Sequence, residues 1–176
     1  MGRPARLLLI VAACVSAATA EAAAPAGPHA AATPPEKALE AVIGLADRDD
    51  GFIEYVTRAS WSGKPADKGY SKLLTKPLLA AIGAEEKRLV KANCGGKYIE
   101  GELCGHAFVP LTCSQDSLDG GHYLYRTLKS EAKTALVAYR WPSGSEDIAS
   151  YRMILSGGRW LLDGIDCRGG TKYHMP

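Results

Sequence analysis

"SGGRWLLDGIDCRGG", residues 156–170, is the stretch on which the fold turns. It opens on Gly157-Gly158, and a two-residue hairpin turn requires the positive φ angles that glycine adopts without strain. The chain on either side of that turn is therefore paired strand. Working outward, "DIASYRMILSGG", "AKTALVAYRWPSG" and "HYLYRTLKSE" carry the same kind of pattern. In the middle one, Ala135, Val137, Tyr139 and Trp141 alternate with Leu136, Ala138 and Arg140, the period of two that marks a half-buried strand. Four consecutive strands with short connections make an antiparallel meander.

Ahead of His122 the period changes. In "TPPEKALEAVIGLADRDDG" the residues Leu39, Val42, Ile43 and Ala46 recur at helical spacing, and Pro35 suits a first turn, so a helix is expected over 35 to about 47. Gly51 interrupts it, "FIEYVTRA" continues as a second short helix, and "SWSGKPADKG" is loop. The next helical pattern has Thr75 as its cap, Pro77 near its first turn, Leu78, Leu79, Ile82, Leu89 and Val90 on its apolar positions, and Gly95-Gly96 as its stop. "KYIEGELCGHAFVPLTCSQDSLDGG" follows, a glycine-rich loop long enough to need stapling. Helices followed by a meander predict an α+β domain, with helices packed on a curved antiparallel sheet. No internal repeat is evident.

The first 20 residues have the form of an export signal: Arg3 and Arg6, an apolar core from Leu7 to Ala18, and a small-residue cleavage site at Ala18-Thr19-Ala20. "VAAC", Val11 to Cys14, supports a second reading as a lipid-attachment box, which would make Cys14 the anchored first residue of the mature chain. Cleavage after Ala20 is the preferred of the two. Residues 21–34, rich in Ala and Pro, form a flexible or extended linker that includes His29, residues 35–170 a single domain, and 171–176 a tail. No apolar run after residue 20 is long enough to span a bilayer, so the folded part is expected to be soluble.

Cleavage after Ala20 removes Arg3 and Arg6 and no acid. The 21 basic residues become 19 and match the 19 acidic ones. Nucleic acid needs a basic surface, so it is not an expected partner. Of the five cysteines, Cys94, Cys104, Cys113 and Cys167 remain with Cys14 set aside, an even number suited to two disulfides in an oxidising compartment. Three pairings are open; Cys94 with Cys104 and Cys113 with Cys167 is the preferred one, because it closes the glycine-rich loop and pins the last strand. The nine and eight residues between the first three cysteines do not match the close pairs of zinc sites, and no metal is expected.

The order of helices, the antiparallel sheet and above all "GGRWLLDGIDC" resemble the nuclear transport factor two type of cystatin-like cone, in which the last strand often has the pattern Gly-x-Trp-x-x-x-x-Ile. Trp160 and Ile165 match it. The exported signal and "PLTCSQD" are similar to small periplasmic or lipoprotein domains of that fold whose function is uncharacterised. The resemblance covers roughly residues 35–170 and its motifs are packing motifs; the cysteines depart from the superfamily pattern and suggest a disulfide-bearing subfamily.

Chemistry has few carriers. Asp163 and Asp166 are the sharpest candidates for acid–base work, yet three residues apart in a regular strand they point to opposite faces and cannot act on one group. A regular strand places Trp160, Leu162, Gly164 and Asp166 on one face and Leu161, Asp163, Ile165 and Cys167 on the other. One of the two aspartates remains as an isolated base in a concavity. His106, His122 and His174 are scattered, and loop or surface positions are expected for them. Ser114 lacks the elbow of a hydrolase nucleophile, while Gln115 and Asp116 suit backbone bonding at a strand entrance. The glycine pairs match no nucleotide motif, so no cofactor is expected. Tyr123 and Tyr125 share one strand face, with Arg126 on the other, and are candidates for an exposed recognition patch.

The expected function is a non-catalytic exported module, periplasmic or secreted, that binds a protein or small ligand, as in toxin immunity or an envelope accessory role. The alternative is a small cone-fold enzyme, an isomerase or hydrolase type, using Asp163 or Asp166. A membrane enters only through Cys14. Cys14→Ala is expected to leave signal processing and release unchanged; a block in processing, or release of a membrane-held protein, would establish the lipid anchor instead.

Overall fold

The computed structural model describes residues 27–48, 51–57, 67, 69–116 and 122–175. The signal, Cys14, the linker as far as residue 26 and most of the loop before Tyr70 lie outside the described residues. In chain order the elements are α1 (Pro34–Ala46), α2 (Phe52–Thr57), α3 (Tyr70–Leu73), α4 (Lys76–Cys94), β1 (Leu124–Ser130), β2 (Thr134–Arg140), β3 (Ala149–Ser156), β4 (Arg159–Cys167) and β5 (Lys172–Tyr173). The strands form one open, curved antiparallel sheet in the order β1-β2-β3-β4-β5. This is the α+β architecture that the switch from helical to strand periodicity predicts.

One face of the sheet is dry. Tyr125, Val137, Tyr139, Tyr151, Met153, Leu162 and Ile165 point from it into a core completed by Leu39, Val42, Ile43 and Ala46 of α1 and by Leu78 and Ile82 of α4. Burying each such aliphatic or aromatic side chain contributes roughly 1.5–3 kcal/mol, which is what holds helices onto sheet. Two polar anchors set where the helices start. Glu36, fully buried in the first turn of α1, accepts from the amides of Thr33 (2.9 Å) and Ala32 (3.1 Å) and from the Thr127 hydroxyl of β1 (2.8 Å). Burial works to raise its pKa, but these bonds outweigh burial and hold the carboxyl below its ordinary value. Thr75 caps α4, accepting from the Leu78 amide (3.4 Å), while its own amide donates to the Leu162 carbonyl of β4 (2.9 Å).

Gly157 and Gly158 have φ of 56° and 76°, the left-handed pair that the β3–β4 hairpin demands. Past the turn the strand departs from the regular alternation. Met153 pairs with Leu162 but Arg152 pairs with Gly164, leaving Asp163 as an extra residue on β4. Such a bulge resets which way side chains point. Leu162 and Ile165, expected on opposite faces, are therefore both in the core, and Trp160, expected opposite Ile165, packs against the same core.

Several segments differ from the sequence reading for reasons of packing. α3 is a single turn made by the burial of Tyr70, too short to show a helical period. The terminal tail adds β5, pairing Lys172 with Asp166 and Tyr173 with Ile165, and Tyr173 enters the core. His29, placed in the linker by composition, exchanges both backbone bonds with Tyr125 of β1 (3.0 and 2.7 Å). Tyr123 and Tyr125 do share a face, but it is the helix-covered one: they are 7% and 1% exposed, with Tyr139 edge-on to the first and stacked with the second, and so cannot form an exposed patch.

The disulfides are Cys94–Cys104 and Cys113–Cys167, with sequence separations of 10 and 54. Cross-linking distant residues removes more freedom from the unfolded chain than cross-linking near ones. On that count, replacing Cys113 and Cys167 by alanine is expected to lower unfolding free energy by about 4 kcal/mol and replacing Cys94 and Cys104 by about 3 kcal/mol. Urea unfolding of the two double variants measures the order; the reverse order would contradict it.

Candidate functional site

α4 presents a stripe of buried residues at Leu78, Ile82, Glu86 and Val90. Glu86 is the charged member, 2% exposed, and an ionised carboxylate in that position must be hydrogen-bonded to persist. All its partners come from the segment that follows the helix. The Tyr98 hydroxyl donates to Oε1 (2.7 Å), the His106 amide donates to Oε2 (2.8 Å), and His106 Nδ1 meets the same oxygen. Because an ionised carboxylate only accepts, Nδ1 is the donor in this contact. Burial works to raise the pKa of Glu86, and the bonds from the His106 ring, Tyr98 and the His106 amide overcome it, holding the carboxyl below its usual range. The Tyr98 phenol is raised, first by burial and then by the bond to Glu86 and its charge. Glu86 packs directly on Gly105, where any side chain would collide with the carboxylate.

Two further ties fix the same loop. Cys104 is bonded to Cys94 at the end of α4, and Asn93 Nδ2 donates to the Cys104 carbonyl (3.1 Å). Residues 95–103 thus leave the helix, pass over Glu86 and return to it. On this loop stand Tyr98, Ile99 and Leu103, exposed by 36%, 53% and 64%; among the described residues only Leu128 is a comparable exposed large apolar side chain. The sequence marks the loop as stapled but gives no reason to single out these three. Glu86 was visible in principle: it stands four residues from both Ile82 and Val90, on the apolar face of its helix, where a carboxylate demands a partner.

The aspartates do not come together. Asp163 accepts from Thr75 Oγ1 (2.7 Å) and pairs with Arg152 (2.7 Å), with His174 Nδ1 at 3.4 Å. Asp166 pairs with Lys172 of β5 (2.8 Å). Neither lines the cavity that lies between the end of α1, α2 and residues 106–116. His106 is in a loop, as expected, but its side chain is only 3% exposed, because Glu86 draws it inward. His122 is exposed, and His174 sits on the tail with Nδ1 2.8 Å from the Asp163 carbonyl. Ser114 pairs through its backbone with Val109 and through Oγ accepts from the Asp116 amide (3.1 Å), while Gln115 Nε2 donates to the Ala107 carbonyl (2.6 Å). Among the described residues no three histidine, cysteine or acidic side chains are grouped to hold a metal.

Comparison with family models, curated proteins and solved structures returns no match.

Glu86→Gln keeps the shape and removes the charge. It is expected to lower stability at pH 7 by about 1–3 kcal/mol, the cost of weakening a buried, charge-assisted set of bonds. The folded pKa of Glu86 lies below its unfolded value, so its contribution is complete above the ordinary carboxylate range and fades as pH falls through the folded value. The difference between wild type and variant in urea unfolding therefore shrinks between pH 7 and pH 3; a constant difference would show that the charge contributes nothing.

Proposed function

We propose that the protein is an exported, non-catalytic interaction module that recognises a protein partner through the loop of residues 95–103. The observation that carries this reading is the presence of Tyr98, Ile99 and Leu103 at the surface of a loop fixed by a disulfide, a buried carboxylate and a helix side chain. Exposed apolar groups gathered in one place mark interaction sites. A loop already held in one shape loses little freedom on binding, so more of the contact energy appears as affinity.

Export rests on the amino-terminal signal pattern and on two disulfides, which belong to oxidising surroundings. Among the described residues no helix is long and apolar enough to cross a membrane. A periplasmic or secreted location follows from cleavage after Ala20, and a lipid tether from attachment at Cys14. The cone-type reading draws support from the meander with helices on one face, and an immunity or envelope accessory role suits a small domain of balanced charge. The enzymatic alternative has less in its favour, since Asp163 and Asp166 each hold a cation outside the cavity.

Replacing Ile99 and Leu103 together by aspartate tests the reading. Both side chains are exposed, so the thermal transition is expected to stay within a few degrees of wild type. A partner captured and cross-linked from the envelope by wild type should bind the double variant at least about thirtyfold more weakly, the effect of losing a hot-spot contact of about 2 kcal/mol. Equal binding of that partner by both proteins would exclude the loop as the recognition element.

A further inference from the structure

The two disulfides sit in unlike surroundings. From Lys91 to Leu103 every residue is exposed except Cys94, which is half-buried at the end of α4. Its partner Cys104 is 2% exposed, yet neither cysteine belongs to the core between helices and sheet. Cys167 does belong to that core, 4% exposed on the same strand as Leu162 and Ile165. Cys113 packs against it, directly after the buried run Pro110 to Thr112. A thiolate breaks a disulfide by reaching one of its sulfurs, so an exposed bond exchanges readily and a covered one does not. Cys94–Cys104 is the bond open to exchange in the folded protein.

The two sulfurs of that bond are not equivalent. Access decides which one is attacked, and only Cys94 offers it. The other sulfur must then depart as a thiolate, and exchange is faster when the departing thiolate is stabilised. Cys104 Sγ accepts from the Ile99 amide at 3.4 Å, a donor that offsets the cost of burying charge there. Cys94 lies at the carboxyl end of α4, where the partial negative charge of the helix disfavours a thiolate. Access and local charge therefore agree: Cys94 is attacked and Cys104 leaves.

We propose that Cys94 is a thiol-exchange site, and that a dithiol reductant acting there opens the 95–103 loop without unfolding the domain. The incoming thiolate forms a bond to Cys94 Sγ; the Cys94–Cys104 bond breaks, and its electron pair stays on Cys104 Sγ, facing the Ile99 amide. The second thiol of the reductant, once deprotonated, attacks the reductant's own sulfur in the mixed disulfide, and the electron pair passes to Cys94 Sγ. Each released thiolate takes up one of the two protons that the dithiol gave up. The reductant leaves as a disulfide, two electrons having passed to the cystine. The bonds from Tyr98 and His106 to Glu86 and from Asn93 to the Cys104 carbonyl keep the two thiols near each other, so the same exchange run backwards closes the loop again. The exchange chemistry stands apart from the recognition proposed for the loop; its effect on binding rests on that reading.

The test treats the folded, oxidised protein with dithiothreitol and, separately, with reduced glutathione, quenches with acid at intervals, alkylates the free thiols and maps them by peptide mass spectrometry. No partner enters these measurements, so their outcome is independent of what the loop binds. With dithiothreitol, thiols at Cys94 and Cys104 are expected to appear about tenfold or more faster than thiols at Cys113 and Cys167. Early glutathione adducts are expected on Cys94 in about tenfold or greater excess over Cys104. Hydrogen exchange on the form reduced at Cys94 and Cys104 alone should be faster at amides of residues 97–103, with β2 and β3 still protected. Equal rates at the two disulfides, adducts mainly on Cys104, unchanged exchange in the loop, or loss of protection in β2 and β3 would each overturn the proposal.

Discussion

A carboxylate buried in the apolar stripe of a helix has to be satisfied by hydrogen bonds, and Glu86 is satisfied entirely by residues that follow the helix. That requirement shapes the region that distinguishes this domain. The amide and ring of His106 and the hydroxyl of Tyr98 must converge on one carboxylate. Gly105 must lack a side chain for the chain to approach, and the Cys94–Cys104 bond closes the ring so formed. Ile99 and Leu103 are left facing solvent as a consequence. Without the buried charge, the loop would lose the bonds that draw Tyr98 and His106 onto α4 and would have a wider range of shapes.

A second constraint, the dry face of the sheet, positions the rest. Tyr139 and Tyr151 project from β2 and β3 into the core, where a phenolic hydroxyl needs an acceptor. They find it in the carbonyls of Thr112 and Leu111, the latter at 3.0 Å, and burial raises both phenols so that they remain donors. The same segment is bonded to the last long strand through Cys113–Cys167. The stretch from 107 to 116 is thus held over the sheet by core tyrosines and a disulfide, which keeps one wall of the cavity in place opposite the end of α1. Sheet chemistry therefore supports both features: it backs the cavity wall directly and fixes the far end of the segment that Glu86 grips.

Sequence patterns expose interactions that are periodic and conceal those that depend on register. Leu39, Val42 and Ile43 announce α1, and the alternation around Val137 announces β2, because each element buries one face against a partner. Gly157-Gly158 announces its turn because the backbone there has a conformational requirement that few other residues meet. The bulge at Asp163 has no such signature. It exists because β3 and β4 pair differently on its two sides, and so the inward position of both Leu162 and Ile165 was not legible. The orientation of Tyr123 and Tyr125 is of the same kind: their shared face is evident, whereas its burial depends on where α1 lies. β5 contributes two residues, too few for any period. Glu86 was legible as an anomaly on an apolar stripe, and its partners were not, since they lie beyond two glycines in a loop whose path is set by the carboxylate itself.

The central claim, that one buried carboxylate organises the loop of residues 95–103, is tested most directly by native-state hydrogen exchange at the His106 amide. That N–H donates to the Glu86 side chain, at Oε2, rather than to a backbone carbonyl of a helix or strand. In wild type it is expected to exchange slowly, opening with a free energy close to that of the core strands, and in Glu86→Gln to exchange at a rate approaching that of an open loop while amides of β2 and β3 stay protected. Equal protection of the His106 amide in the two proteins would contradict the account.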